Sequence, residues 1–115
     1  MTRPKVLLVD DSALVRAVVG HALAADYEVA SIDDPRGLAA EVARFSPHLL
    51  LVDASYPGIT DDALVSLVAA HASLPVVLFS DRAETEVRGL VTRIGARGFV
   101  PKDGATLAKR LSAFL

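Results

Sequence analysis

The chain contains no cysteine and no tryptophan. Without thiols it forms no disulfide and offers no thiolate nucleophile, and any zinc site would have to use imidazoles and carboxylates. The three histidines, His21, His48 and His71, lie far apart in sequence. That spacing is expected of surface or half-buried side chains, not of a zinc centre. No apolar run approaches the ~20 residues that a membrane-spanning helix needs. Net charge at pH 7 is only -2, so bulk attraction to nucleic acid or to an anionic membrane is missing. There is no glycine-rich phosphate loop, and "GARG" is too weak a signal to stand in for one. Repeats, low-complexity tracts and linkers are also absent. The amino end, "MTRPK", runs directly into the first apolar stretch, which leaves no room for a signal peptide and makes a cytoplasmic location the expectation.

What remains is a sequence rich in core-forming residues, 52% hydrophobic and 23% charged. At 115 residues this predicts one globular domain spanning 1–115. The stretch "KVLLVDDSALVRAVV" sets the pattern. Val6 to Val9 form a short apolar run without polar alternation, the mark of a strand buried on both faces. Leu14, Val15, Val18, Val19, Ala22 and Leu23 then fall on one face of a helix expected over about 12–25. "YEVASI" (27–32) alternates and suits an edge strand. "DDP" opens a second helix, with Pro35 in its first turn, and "SPH" stops that helix after Phe45. "LLLV" (49–52) is a second fully apolar strand, ending at Asp53. After the loop "ASYPGIT", Asp61 or Asp62 is expected to cap a third helix that ends before Pro75. "VVLF" (76–79) ends at Ser80, a helix spans 83–94, "GFV" (98–100) leads to Pro101 and Lys102, and Gly104 to Leu115 closes the chain as a helix.

Five alternating βα units predict an α/β domain with a doubly wound parallel five-stranded sheet and helices on both faces. In such sheets ligands bind at the carboxyl ends of the strands. Asp10 and Asp11 follow the first strand, Asp53 the third, Ser80 the fourth and Lys102 the fifth, so four of five strands deliver a polar or charged group to one rim. Two like unit charges ~4 Å apart repel by about 4 kcal/mol at an effective dielectric near 20. One lysine does not balance three carboxylates, and a divalent cation does. Mg²⁺ fits because it is held by one or two carboxylates, waters and phosphate oxygens. Asp53 is then placed to act as a nucleophile that forms an aspartyl phosphate, with the metal and Lys102 offsetting charge on the phosphoryl group.

The stretches "VLLVDDSALVR", "PHLLLVDASYPGITD", "LPVVLFSD" and "GARGFVPKD", in that order and spacing, resemble the receiver domain of two-component response regulators over essentially the whole chain. The resemblance implies a flavodoxin-like (βα)5 fold with strand order 2-1-3-4-5. It implies that Asp53 is the phosphoacceptor and that Asp10 and Asp11 help bind Mg²⁺. Ser55 would complete the metal site through its main-chain carbonyl. Ser80 would be the switch hydroxyl, Phe99 the switch aromatic, and Lys102 the partner of the phosphoryl oxygens. The domain would catalyse its own phosphoryl transfer and dephosphorylation without being an enzyme for an external substrate. Implied partners are a sensor histidine kinase as phosphodonor and an output domain or effector protein. No direct nucleic acid binding and no membrane contact are implied, and a homodimer through the fourth and fifth elements is compatible with the family. Phe99 stands where tyrosine is commoner, Asp81 where a small residue usually follows the switch hydroxyl, and Tyr56 where methionine is frequent.

Plainer roles compete at each position. Asp10, Asp11 or Ser12 could cap the first helix, Asp53 could be a turn residue, and Lys102 could form a surface ion pair worth at most ~1 kcal/mol. On composition Phe99 is a core residue. Arg82, Arg88, Arg93 and Arg97 make the fourth helix and its flanks basic; alternation with Glu84 and Glu86 favours a solvated face over a docking surface. A Mg²⁺-dependent phosphohydrolase and a degenerate, partner-binding receiver are the other functions weighed. No Asp-x-Asp follows the first or third strand as the first would need, and no core site residue is missing as the second would predict.

Overall fold

The structure, a computed structural model, describes residues 2–115. Five parallel strands, β1 (Lys5–Val9), β2 (Glu28–Ile32), β3 (Leu49–Asp53), β4 (Val76–Ser80) and β5 (Gly98–Pro101), form one sheet in the order β2-β1-β3-β4-β5. Between and after them run α1 (Ala13–Leu23), α2 (Leu38–Phe45), α3 (Asp61–Ala70), α4 (Glu84–Ile94) and α5 (Leu107–Leu111). This is the doubly wound flavodoxin-like arrangement expected from the alternating pattern.

The apolar runs explain which strands are central. All five residues of β3 and of β4 are buried, as are Val6 to Val9 of β1, whereas β2 keeps Glu28 and Ser31 exposed at the sheet edge. Because side chains alternate along a strand, each central strand feeds two cores. Leu7, Val9, Leu50, Val52 and Leu78 pack with Leu38, Phe45, Leu64, Val87, Leu90 and Ile94 from α2, α3 and α4. Val6, Leu8, Leu49, Leu51, Val77 and Phe79 pack on the other face with Val19, Leu23, Leu107 and Leu111 from α1 and α5. Helices on both faces leave the strand ends as the open rims of the molecule.

The helix ends differ from the sequence reading in three places. Pro35 lies in a 3₁₀ turn over Pro35–Gly37, capped by Asp34, and α2 itself begins at Leu38. Thr60, not Asp61 or Asp62, caps α3: its hydroxyl accepts from the Ala63 N–H at 3.1 Å. Both aspartates instead occupy the first turn of that helix, where they complement its dipole. The closing helix is also shorter than 104–115. Asp103 accepts from the Ala105 N–H and the Thr106 hydroxyl, each at 3.1 Å. That local turn competes with the helix and delays it to Leu107, and a 3₁₀ turn over Ser112–Phe114 follows. The ring of Phe114 then lies over Gly98. A Cβ built on that glycine would sit 2.5 Å from the ring, so a side chain there requires the ring to move. Gly95 ends α4 in the left-handed region at φ 78°, which glycine adopts freely.

Leu51 is fully buried in central strand β3, so Leu51→Ala should lower unfolding free energy by about 2–5 kcal/mol. Urea denaturation checks this: the midpoint falls while the slope stays unchanged.

Candidate functional site

Three of the strands that end at the carboxyl rim carry the charges of the site. Asp10 follows β1, and its backbone N–H is fixed by a hydrogen bond to the Ile32 carbonyl at 3.1 Å. One oxygen of its carboxylate, Oδ1, accepts from the Ser12 N–H at 2.9 Å. Ser12 itself caps α1 by accepting from the Val15 N–H. The capping role weighed for the acidic pair therefore falls to Ser12, which leaves Asp10 Oδ2 facing the rim. Asp10 and Asp53 are 1% and 2% exposed; Asp11, next to Asp10, is exposed. One carboxylate oxygen from each of Asp10, Asp11 and Asp53 lies within 4.8 Å of the others.

Lys102, just past β5, reaches into this group. Its Nζ lies 3.2 Å from Asp53 Oδ1 and 3.5 Å from Asp10 Oδ2, and 5.4 Å from the centre of the Phe79 ring. Its backbone is held by a hydrogen bond from its N–H to the Ser80 carbonyl. Asp53 Oδ1 also accepts from the Ser55 N–H at 2.8 Å. Both contacts fall on Oδ1. Asp53 Oδ2 takes part in neither contact.

The electrostatics follow from this packing. Burial raises the pKa of Asp53 above its ordinary value and the Asp10 charge adds to the effect; the Ser55 N–H and Lys102 oppose it without cancelling it. Burial alone would depress Lys102, but Asp53 and Asp10 more than offset that and hold the ammonium above its usual range. The site thus keeps an excess of negative charge around one firmly protonated lysine.

The remaining predicted residues stand close by. Ser80 is buried at the end of β4, its Oγ accepting from the Arg82 N–H at 3.0 Å. Phe99 is half-buried, packs against the α2–α4 core and shares with Ser80 a cavity of about 220 Å³ that Arg82, Glu84, Pro101 and Arg110 also line. Ser55 is exposed on the loop after Asp53. Of the basic residues near α4, Arg82 lies 3.9 Å from Glu86, Arg88 pairs with Glu84, and Arg93 lies 3.2 Å from Asp61. These pairs match the solvated-face reading of that helix. Three contacts had no signal in the sequence. The Arg16 guanidinium donates to the Asp10 carbonyl at 2.8 Å, Arg82 to the Ala54 carbonyl at 3.4 Å, and the Tyr56 hydroxyl to the Asp33 carbonyl at 2.7 Å. Side-chain reach across a rim is set by the fold, and spacing does not encode it.

A doubly wound sheet with an acidic cluster and a lysine on its carboxyl rim defines a class of phosphate- or metal-handling domains. Comparison narrows the class. The response regulator receiver domain family matches residues 6–112, and the chain belongs to it. The chain is 36% identical over 110 residues to a protein-glutamate methylesterase/protein-glutamine glutaminase of Hydrogenovibrio crunogenus, covering 89% of this chain and 28% of that protein. It superposes on the chemotaxis response regulator CheY4 of Vibrio cholerae with a TM-score of 0.83 and 28% identity, covering 99% of this chain and 100% of the other. NtrX from Brucella abortus shares the fold at a TM-score of 0.84, with 24% identity and 27% of that chain covered. The chain spans 32%, 15% and 31% of the lengths of three curated relatives it matches. No described helix is long and apolar enough to cross a membrane.

The raised Asp53 pKa carries a stability consequence. A buried carboxylate whose pKa is raised on folding opposes folding at every pH above its folded-state pKa. That penalty fades as pH falls through the folded pKa and is gone below the ordinary carboxylate range. Asp53→Asn should therefore raise the thermal midpoint in metal-free buffer at pH 7 by a few degrees, as a ΔΔG on the order of 1 kcal/mol would. The gain should shrink progressively on acidification, read by calorimetry across a pH series.

Proposed function

We propose that Asp53 is the residue phosphorylated in this receiver domain and that the span 1–115 is the phosphoacceptor unit. The observation that carries this reading is the pairing of a buried Asp53 with Lys102, whose Nζ lies 3.2 Å from its Oδ1 and leaves Oδ2 uncommitted. Asp10, Asp11 and Asp53 fit a hard divalent cation: their oxygens lie within 4.8 Å of one another and together exceed the charge of the one lysine. Mg²⁺ would be held by those three carboxylates and by the main-chain carbonyl of Ser55, and when bound it would neutralise charge on the phosphoryl oxygens.

The chain's own groups supply the rest. Oδ2 of Asp53 forms the new O–P bond while the bond from phosphorus to the donor breaks, and the leaving atom of the donor keeps that electron pair and takes up a proton. Lys102 stays protonated throughout and offers its ammonium to an equatorial phosphoryl oxygen. Ser80 already has its Oγ committed as an acceptor to the Arg82 N–H, so its hydroxyl proton is the part left to donate to a phosphoryl oxygen. That donation would draw the Ser80 loop inward and alter the cavity it shares with Phe99, biasing a two-state equilibrium that a partner reads. A sensor histidine kinase is the phosphodonor in this account, an output domain or effector protein the recipient of the signal, and the cytoplasm its setting. The acceptor catalyses its own phosphorylation and dephosphorylation and turns over no external substrate.

Incubation of the purified protein with Mg²⁺ and a small acyl phosphate should add one phosphoryl group, read by intact mass. The gain should vanish in Asp53→Asn and on chelation of the metal. No gain under conditions that phosphorylate a control receiver overturns the proposal.

A further inference from the structure

Tyr56 sits three residues beyond Asp53, and its hydroxyl donates to the main-chain carbonyl of Asp33 at 2.7 Å. Asp33 follows directly on β2, while Tyr56 follows β3. Since β1 lies between those two strands, the hydrogen bond spans the end of β1, where Asp10 and Asp11 emerge. On the far side of the span, the Asp10 N–H is bonded to the Ile32 carbonyl. The Tyr56 side chain thus ties the loop after β3 to the end of β2, and a backbone hydrogen bond ties the end of β2 to Asp10, so the two loops that carry the converging carboxylates are linked through β2.

The tie acts on a particular group. The Ser55 carbonyl and the Tyr56 N–H belong to one planar peptide unit and cannot turn independently. That unit is restrained on one side by the hydrogen bond from the Tyr56 N–H to the Asp53 carbonyl at 3.3 Å, and the peptide before it by the bond from the Ser55 N–H to Asp53 Oδ1 at 2.8 Å. On the other side it is restrained by the Tyr56 side chain anchored at Asp33. The half-buried ring limits the rotation left to the loop. Burial, followed by the charges of Asp34, Asp11 and Asp33, raises the phenol's pKa and keeps it a proton donor.

We infer that Tyr56 is a positioning residue for the cation site: its bond to the Asp33 carbonyl fixes the peptide that presents the Ser55 carbonyl. The inference rests on the reading of the acidic cluster given under Proposed function. It makes Tyr56 neither a ligand nor a participant in phosphoryl transfer.

Tyr56→Phe removes the hydroxyl and keeps the ring. Titration of the metal-free protein with MgCl₂ by calorimetry should show an affinity three- to tenfold lower in the variant, the range expected for loss of one neutral hydrogen bond. The phosphorylation rate of Tyr56→Phe should fall by the same factor at limiting Mg²⁺ and return to the wild-type value at saturation. A purely structural role would lower it at both. The thermal midpoint of the metal-free variant identifies any general loss of fold. Equal Mg²⁺ affinity in a folded Tyr56→Phe overturns the role of Tyr56 alone, as does a rate deficit that persists at saturation. A wild-type protein that takes up no Mg²⁺ overturns the reading of the site itself.

Discussion

Three carboxylates meet at the carboxyl end of the sheet with a single ammonium between them, and two of the three are almost fully buried. Such an arrangement is unfavourable on its own terms. Like charges repel at this range, and burial removes the water that would screen them. Lys102 relieves part of the strain, as its contacts with Asp10 and Asp53 show, yet the pKa of Asp53 remains raised. A chain that folds around such a defect holds an electrostatic demand for positive charge at one point on its surface. The divalent cation proposed here would meet that demand, and the proposed phosphoryl group would then bring its negative charge to a place prepared for it. The surrounding scaffold can be understood as the means of keeping that unfavourable cluster together.

The means are largely apolar. Asp10 directly follows β1 and Asp53 ends β3, strands whose side chains are sealed into two cores, so the packing of β1 and β3 sets where both carboxylates stand. Parallel pairing in register brings the ends of β1, β3 and β4 to one level. Lys102 is delivered by β5 and held through its backbone bond to Ser80, which couples the lysine to the end of β4. A movement of the Ser80 loop therefore bears on Lys102, and through it on Asp53. This coupling would give the phosphorylation proposed for Asp53 a route to the cavity shared by Ser80, Phe99 and Arg110.

The architecture was readable because burial on both faces leaves an unmistakable trace. Four-residue apolar runs at 6–9, 49–52 and 76–79 have few explanations other than central strands, and β2 betrayed its edge position by alternation. The convergence of Asp10, Asp11, Asp53 and Lys102 followed from topology, since a parallel sheet puts every strand end of one kind on one rim. The same logic did not extend to short-range competition between side chain and backbone. Thr60 took the cap expected of Asp61 or Asp62, and the turn made by Asp103 delayed the last helix to Leu107. Nor did it extend to lateral contacts between loops. Tyr56 was visible as an unusual residue, but its bond to the Asp33 carbonyl depends on where two loops 23 positions apart come to rest.

A divalent cation that completes the acidic rim, as proposed here, must stabilise the folded state. The direct measurement is the thermal midpoint of the metal-free protein as Mg²⁺ is added, against NaCl at matched ionic strength. A specific site stabilises the folded state by RT ln(1 + [Mg²⁺]/Kd), about 2.7 kcal/mol at a hundredfold excess over Kd. A specific cation site gives a saturating rise with Mg²⁺ well beyond that given by NaCl. A midpoint that Mg²⁺ leaves unchanged, or that both salts raise equally, would contradict it.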